Sequence, residues 1–320
     1  MKSTPREGSA VPKHFLTLLD LGRDDLLRVL ARAKELKKLR GTPAHPRPLE
    51  GKSVAIVLEK ASTRTRVSFE VGVFELGGQP VTLLAKDTQL GRGEPIDDTA
   101  HMLSRFVHAI VYRTFGHDKV QTLAKHSRVP VINGLCDRFH PCQLLADLQT
   151  VQESLGTEDL RDVPVAWIGD GNNVSHSWIL GAALLGLDLR LACPDGFFPE
   201  AAVLEMAARA AREVGIDPKI RVVRDPREAA EGARVVTTDV WASMGQESEA
   251  AARARVFEGY QVDGALMQRA ARDAIFLHCL PAHRGEEVAA DVIDGPASRV
   301  WDEAENRLHA QKALLEHLMR

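Results

Sequence analysis

The stretch SVAIVLEKASTRTRVSFEVGVFELGGQPVTLL, residues 53–84, decides the fold of the first half of the chain. It opens with an apolar, β-branched run at residues 53–58. An amphipathic segment follows, with Val67, Val71 and Phe74 on one face, and a second apolar run occupies residues 81–84 after two glycines. Two short apolar runs on either side of a helical pattern predict a strand, a helix and a second strand.

The same alternation continues through most of the chain and predicts an α/β protein with two parallel-sheet domains. Each domain is expected to contain several strands joined by helices. The predicted strands are residues 53–58, 81–84, 109–112 and 129–132 in the first half, and 163–168, 187–192, 220–223, 235–238 and 274–277 in the second.

A helix is predicted between the two halves, at residues 141–155, where apolar residues recur at helical spacing. We expect it to join the domains rigidly. A last helix is predicted at residues 303–319. The predicted domains are residues 1–147 and 148–303, with the C-terminal helix, about 304–320, packing back on the first domain.

Composition excludes several classes of protein. The chain has 320 residues, which suggests two domains, and a net charge of -3, which provides no broad positive field for nucleic acid. Four cysteines without C-x-x-C spacing indicate reduced thiols in the cytoplasm. The sequence has no run of about 18 apolar residues that would predict a membrane span. A small-molecule partner is therefore expected.

The run EKASTRTR, residues 59–66, lies between the first predicted strand and its helix. A helix start offers free N–H groups and a positive dipole end to an anion. The hydroxyls of Ser62, Thr63 and Thr65 add donors, and Arg64 can fork onto phosphate oxygens. The alternative is a plain helix N-cap with both arginines in solvent. Three hydroxyls interleaved with two arginines exceed what a cap requires, so the run predicts an anion site.

Other polar residues follow predicted strands, where ligands bind in open α/β sheets. Arg113 and His140 follow two strands of the first half, although an arginine taken alone is more often a surface charge, and a histidine taken alone is more often a loop residue with satisfied hydrogen bonds. Residues 169–173, GDGNN, fit either a tight turn or an incomplete dinucleotide motif. Cys279 alone would be a buried structural thiol, and Arg307 alone a solvated helix charge.

Residues 62–66 resemble the carbamoyl phosphate loop of the aspartate/ornithine carbamoyltransferase family, and further motifs follow in the family's order from about Phe15 to Leu318. The resemblance implies that the first domain binds carbamoyl phosphate, that Arg113 and His140 polarise its carbonyl group, and that Gln143 contacts the carbamoyl group. The carbamoyl phosphate contacts that it implies are Ser62, Thr63, Arg64, Thr65, Gln89, Arg113, His140, Gln143, Cys279, Leu280 and Arg307.

The loop DVWASMG, residues 239–245, is similar to the D-x-x-x-S-M-G loop by which the ornithine enzymes of the family hold the α-amino and α-carboxylate groups of ornithine. The tetrapeptide HCLP, residues 278–281, resembles the family signature whose thiol faces the amine. The second domain is then implied to bind L-ornithine, and the reaction, part of arginine metabolism, would give L-citrulline and phosphate. The implied ornithine contacts are Asn173, Asp239, Ser243 and Met244, and the implied catalytic residues are Cys279, Arg113, His140 and Asp239.

Three rival functions remain open at this point. A sister carbamoyltransferase could use putrescine or an acylated ornithine, but residues 243–245 argue against putrescine, which has no α-carboxylate. A nicotinamide oxidoreductase is disfavoured because Val174 replaces the third glycine of the dinucleotide motif. A catalytically silent binding protein is disfavoured by the presence of Cys279, Arg64 and His140 together.

The resemblance also implies an assembly. Gln89 lies in a polar loop with two glycines, which by default is a surface loop. In the family the matching loop reaches the site of a neighbouring subunit, so a homotrimer or a multiple of trimers with shared sites is expected. No cofactor, metal ion, nucleic acid or membrane is expected as a partner.

Overall fold

Two parallel sheets form the centre of the molecule, a computed structural model that describes residues 13–84, 88, 89, 91, 93–242 and 250–320. The strands of the first sheet are β1 (Ser53–Leu58), β2 (Gln79–Leu84), β3 (Ala109–Arg113) and β4 (Val131–Leu135). Their order is β2-β1-β3-β4, with every neighbour parallel. The helices of this half are α1 (Gly22–Leu39), α2 (Thr63–Glu75), α3 (Ile96–Leu103) and α4 (His117–His126), after a 3-10 turn at Leu18–Asp20.

The second sheet is also wholly parallel. Its strands are β5 (Pro164–Ile168), β6 (Asp188–Ala192), β7 (Lys219–Val223), β8 (Val235–Thr238) and β9 (Ile275–His278), in the order β7-β6-β5-β8-β9. A helix α5 (Pro141–Leu155) leads from β4 to this half. The remaining helices are α6 (Asn173–Leu185), α7 (Ala201–Glu213), α8 (Pro226–Ala230), α9 (Ala250–Val256), α10 (Gly264–Met267), α11 (Ala290–Ile293) and α12 (Val300–Leu318).

The predicted α/β class with two parallel sheets is confirmed, and α5 begins and ends where the sequence predicts a helix. Strand β4 differs from its prediction of residues 129–132. It starts one residue after Pro130, which has no N–H to donate to a ladder. It then continues through Asn133, a poor strand former, because pairing with β3 overrides local preference.

One hydrophobic core runs from the first sheet through α5 into the second half. Buried residues of β1, α5, α6 and β6 such as Val57, Leu145, Leu180 and Leu189 belong to the same cluster. Helix α5 is buried along most of its length, which explains why its apolar residues are not confined to a narrow stripe. The two sheets are therefore held by a shared interior rather than by a surface linker.

The C-terminal helix α12 packs against α1, α2 and α5. Arg32 of α1 donates to Glu316 at 2.9 Å, and the buried Lys312 pairs with Glu75 of α2 at 2.6 Å. Near its start, α12 also contacts β9. The chain thus returns from the second sheet to the first, and residues of α12 can reach groups of both.

Among the described residues, no helix is long and apolar enough to cross a bilayer.

Candidate active site

A cavity of about 650 Å³ lies at the carboxyl ends of both sheets. Strand order reverses between β1 and β3 in the first sheet, and between β5 and β8 in the second. Loops leave such switch points in opposite directions, which opens a crevice for a ligand. The first edge is defined here as the ends of β1 and β3 with the residues that follow them, together with His140 after β4 and Arg307 of α12. The second edge is defined as the residues after β5, β8 and β9. The predicted site residues that line the cavity are Ser62, Thr63, Arg64, Thr65, Arg113, His140, Asn173, Asp239, Cys279, Leu280 and Arg307.

The start of α2 lines the cavity at the first edge. Ser62 caps the helix, since its Oγ accepts from the Thr65 N–H at 3.2 Å. The alternative of a plain N-cap is therefore right about Ser62, but its prediction that both arginines lie in solvent is wrong for Arg64. That side chain turns into the cavity and donates from Nη2 to the Leu280 carbonyl at 2.6 Å, whereas Arg66 is exposed and pairs with Glu70. The helix start and Arg64 together offer anion-binding groups.

Three arginines converge on this edge. Arg113 is 6% exposed and donates to Thr65 Oγ1 at 3.3 Å. Burial, together with the charges of Arg307 and Arg64, lowers the pKa of Arg113 to about 10. Burial and Arg64 also lower the pKa of Arg307. Clustered buried cations are costly without an opposite charge, so this edge favours a multiply charged anion.

His140 stands beside the arginines at the N-terminus of α5. Its backbone N–H donates to Ser177 Oγ of α6 at 2.8 Å, which fixes the residue at the junction of the two halves. Burial and the three neighbouring arginines hold the pKa of the imidazole well below its usual range, so the ring is neutral. A neutral imidazole can donate one hydrogen bond to a ligand oxygen.

Gln143 does not line the cavity, although the resemblance implies that it contacts the carbamoyl group. Its amide lies one layer behind, where Oε1 accepts from Arg307 Nη1 at 2.6 Å. Its Nε2 donates to Asp147 at 2.8 Å and to Glu303 at 2.7 Å. In this arrangement Gln143 holds Arg307, which itself lines the cavity.

The second edge carries a carboxylate and a thiol. Asp239 follows β8 and accepts from Asn172 Nδ2 at 2.8 Å. Its other oxygen accepts from the Cys279 thiol, with Sγ 3.1 Å away, and from the Val240 N–H at 2.8 Å. Burial and the Asp239 charge raise the pKa of Cys279 well above its usual value. The thiol is therefore a neutral hydrogen-bond donor that orients the carboxylate, rather than a thiolate.

Backbone geometry at Leu280 brings the two edges into contact. This residue has φ 58°, a left-handed conformation that is uncommon for a residue with a side chain. Its carbonyl oxygen accepts from Arg64 of the first edge, and its N–H donates to His278 Nδ1 at 2.9 Å. Strained backbone of this kind clusters at functional sites because the surrounding contacts must hold it in place.

Ligand atoms of Asp239, His278 and Cys279 lie within 4.8 Å of one another, a spacing that a metal ion could bridge. Each is committed to hydrogen bonds. His278 Nε2 lies 3.1 Å from the buried carboxylate of Glu287, and its Nδ1 accepts from Leu280. This pattern places the imidazole proton on Nε2. The donor set fits a hydrogen-bonded scaffold behind the second edge, and we assign no ion to it.

The glycines after β5 serve close packing. A Cβ at Gly171 would lie 2.3 Å from the Pro199 backbone nitrogen, so only glycine fits. The Gly171 N–H donates to the Phe197 carbonyl at 2.8 Å, and the neighbouring Asn173 donates to the Cys136 carbonyl at 2.8 Å. This turn is therefore explained without a dinucleotide.

Besides Gln143, three predicted site residues do not line the cavity as described. Ser243 and Met244 lie outside the described residues. Gln89 is exposed and does not line the cavity of its own chain. The roles predicted for all three remain predictions.

Four residues that hold cavity side chains or their neighbours in place are absent from the sequence-based prediction. They are Asn172, which orients Asp239, Glu287, which contacts His278, and the two carboxyl groups behind Arg307. Only Asn172 had a signal, because it lies within a polar run that follows a strand. The other three had none: Glu287 reaches His278 through the turn between them, and Asp147 and Glu303 meet at Gln143 only because α12 packs on α5.

The fold and the cavity define a two-domain α/β protein whose candidate site lies between two parallel sheets and has opposite charges on its two sides. Arginines line one side, a carboxylate lines the other, and both belong to a single chain. The class is that of group-transfer enzymes with a site between two parallel-sheet domains.

Comparison with known proteins gives the family. Residues 13–153 match the model of the aspartate/ornithine carbamoyltransferase carbamoyl-P binding domain, and residues 161–318 match that of the Asp/Orn binding domain. The chain is 56% identical over 307 residues to ornithine carbamoyltransferase of Halorhodospira halophila, covering 96% of this chain and 99% of that protein. It is 52% identical to the anabolic ornithine carbamoyltransferase of Pseudomonas aeruginosa, covering 96% and 97%.

A solved structure, ornithine carbamoyltransferase from Pyrococcus furiosus, matches with a TM-score of 0.89 and 49% identity over 96% of this chain and 97% of that one. The chain belongs to the aspartate/ornithine carbamoyltransferase family and is a transferase.

Proposed function

We propose that the chain transfers the carbamoyl group of carbamoyl phosphate to the side-chain amine of L-ornithine, giving L-citrulline and phosphate. The observation that carries this proposal is the polarity of one cavity: Arg64, Arg113 and Arg307 face the carboxylate of Asp239 and the thiol of Cys279. Relatives about half identical over nearly the whole chain are named ornithine carbamoyltransferases, which supports ornithine as the acceptor.

Carbamoyl phosphate would bind at the first edge. The start of α2 and Arg64 offer donors to the phosphate, and Arg113 with neutral His140 offers donors to the carbonyl oxygen. As the amine attacks, that oxygen becomes negatively charged, and fixed donors then bind it more strongly than the starting carbonyl. Each such donor is worth about 10²–10³ in rate.

Ornithine would bind at the second edge. Its side-chain ammonium, with a pKa near 10.4 in water, must lose a proton before it attacks. Asp239 is placed to accept a hydrogen bond from that nitrogen, and Cys279 with Asn172 holds the carboxylate in position. The ammonium proton passes to solvent. The nitrogen then forms a bond to the carbamoyl carbon, the bond from that carbon to the phosphate oxygen breaks, and phosphate leaves with the electron pair and takes up the second proton that the nitrogen loses.

The roles of the domains follow from this reaction. Residues 1–147 would form the carbamoyl phosphate-binding domain, completed by the returning helix α12, and residues 148–303 the ornithine-binding domain. The position of Arg307 supports this division, since it belongs to α12 and lines the cavity beside Arg113. Ser243 and Met244 are proposed to hold the α-amino and α-carboxylate groups of ornithine.

The assembly is proposed to be a homotrimer, or a multiple of it, in which Gln89 reaches carbamoyl phosphate in a neighbouring subunit. The exposure of Gln89 away from the cavity of its own chain supports this arrangement.

A cytoplasmic location is also proposed. The four cysteines are free thiols, as expected in a reducing compartment.

The test is a colorimetric assay of carbamoylated product with carbamoyl phosphate and one amine at a time. Ornithine, acetylornithine, putrescine, lysine and aspartate form the panel. Product with ornithine at a kcat/KM at least about tenfold above the others is expected. Lysine carries its amine one methylene further from the α groups, acetylornithine has no free α-amine, putrescine has no α-carboxylate, and aspartate has no side-chain amine. A preference for acetylornithine or putrescine would assign the chain to another acceptor, and no product with any amine would refute carbamoyl transfer.

A further inference from the structure

Two carboxyl groups are buried side by side behind the cavity. Asp147 of α5 is 2% exposed and Glu303 of α12 is 1% exposed, and both accept from the same nitrogen, Nε2 of Gln143, at 2.8 and 2.7 Å, which places the two carboxyl groups next to each other. Two ionised carboxylates this close together and out of reach of water repel each other, which favours a proton on one of them. Burial raises the pKa of Asp147 to about 7, and burial with the Asp147 charge raises the pKa of Glu303 well above its usual value.

The pair is connected to both edges of the site. Glu303 Oε2 accepts from the His278 N–H at 2.8 Å, one residue before Cys279. Both carboxyl groups accept from the two N–H groups of Gln143 Nε2, and the Gln143 carbonyl oxygen accepts from Arg307. The carboxyl pair thus links the end of β9 to an arginine of the first edge through buried hydrogen bonds.

We propose that Asp147 and Glu303 are positioning residues that share one proton, and that their single negative charge fixes the Gln143 amide, Arg307 and the backbone at His278. The part of this proposal that concerns catalysis rests on the proposed function. The shared proton itself does not.

A charge of minus one is the state that satisfies every neighbour. Two ionised carboxylates would repel each other beside the negative Asp239, and two protonated ones would weaken the charge-assisted bonds from Gln143 and His278. Arg307 faces the pair from α12 and supplies the opposite charge. Cys279, after β9, is also affected, because the charges of Glu303 and Asp147 raise the pKa of its thiol.

A matched control lies on the same two helices. Glu153 of α5 also contacts α12, accepting from Asn306 at 3.0 Å, but it pairs with Lys37 at 2.8 Å. Burial would raise the pKa of Glu153, but the hydrogen bonds from Lys37, Gln149 and Asn306 together with the Lys37 charge outweigh it, and the pKa lies below its usual value. Glu153→Gln therefore removes a carboxylate from this interface without removing a shared proton.

The first test is infrared difference spectroscopy at neutral pH. Wild type minus Asp147→Asn and wild type minus Glu303→Gln should each show the carbonyl stretch of a protonated carboxyl group, because in each variant the new amide donates to the remaining carboxylate. Wild type minus Glu153→Gln should lack this band. If the spectrum of either single variant keeps the carbonyl band, so that the difference spectrum lacks it, the proton is not shared and the proposal is overturned.

The second test is titration with carbamoyl phosphate and with inorganic phosphate. Each single amide variant keeps one negative charge and should lose no more than about tenfold in affinity. The double variant Asp147→Asn with Glu303→Gln loses the charge and should bind about 10- to 100-fold more weakly than wild type. Double-variant affinity equal to that of the single variants would refute the positioning role. Normal phosphate binding by wild type without product from ornithine would instead count against the proposed function alone.

Discussion

The two sheet edges occupy equivalent places in their domains but carry opposite charges. Each follows the strands at the switch point of a parallel sheet. The first edge presents Arg64 and Arg113, whereas the second presents Asp239 with a neutral Cys279. The comparison teaches that the fold supplies two similar crevices, and that the loop residues decide which one takes an anion and which one an amine.

The sharpest way to break the first edge is Arg64→Lys. Lysine cannot both fork onto phosphate and donate to the Leu280 carbonyl, which Arg64 contacts at 2.6 Å. We expect kcat/KM to fall by about 10²-fold or more, with the melting temperature little changed. Near-normal kinetics in a folded variant would remove Arg64 from the phosphate site.

Asp239→Asn breaks the second edge. The change removes a charge-assisted contact to the ammonium of ornithine, worth about 1.5–3 kcal/mol, so kcat/KM for ornithine should fall about 10- to 100-fold. The oxygen of the new amide can still accept from the Cys279 thiol and the Val240 N–H, and only the contact with Asn172, whose Nδ2 is a donor, is lost, which favours a folded protein. If steady-state assays return an unchanged KM and kcat, the carboxylate does not meet the substrate.

The pH dependence of Cys279 alkylation sharpens the account of the second edge. The thiolate is the reactive form, and the raised pKa keeps the thiol neutral. In wild type the alkylation rate should therefore keep rising above pH 9, whereas in Asp239→Asn the curve should move to lower pH, since a carboxylate that raises the pKa is gone. The other cysteines are buried. A wild-type midpoint at about 8.5, the value of a free thiol, would contradict this account.

The smallest expected effect comes from a mixing experiment, which tests whether Gln89 of a neighbouring subunit contributes to the first edge. Inactive Arg64→Lys and Gln89→Ala proteins are dissociated, mixed and reassembled, and some interfaces then combine two intact parts. Partial return of activity is expected. A mixture that stays inactive, when wild type recovers from the same treatment, would show that sites are not shared.

Sequence patterns predicted the strands and helices, but not the buried carboxyl groups behind the cavity. The strand ends were visible because apolar runs stop at them, and so Arg113 and Asp239 could be placed at a ligand edge. The contact between Asp147 and Glu303 joins residues 156 positions apart and exists only because α12 returns across α5. The left-handed backbone of Leu280 and the close approach at Gly171 likewise come from tertiary packing, which no local propensity encodes.

The division of the cavity into an anion edge and an amine edge is tested most directly by titrating carbamoyl phosphate into both edge variants. Asp239→Asn should bind carbamoyl phosphate within about threefold of wild type, because that carboxylate belongs to the amine edge. Arg64→Lys should lose at least about tenfold in affinity. Equal losses in the two variants would contradict the division.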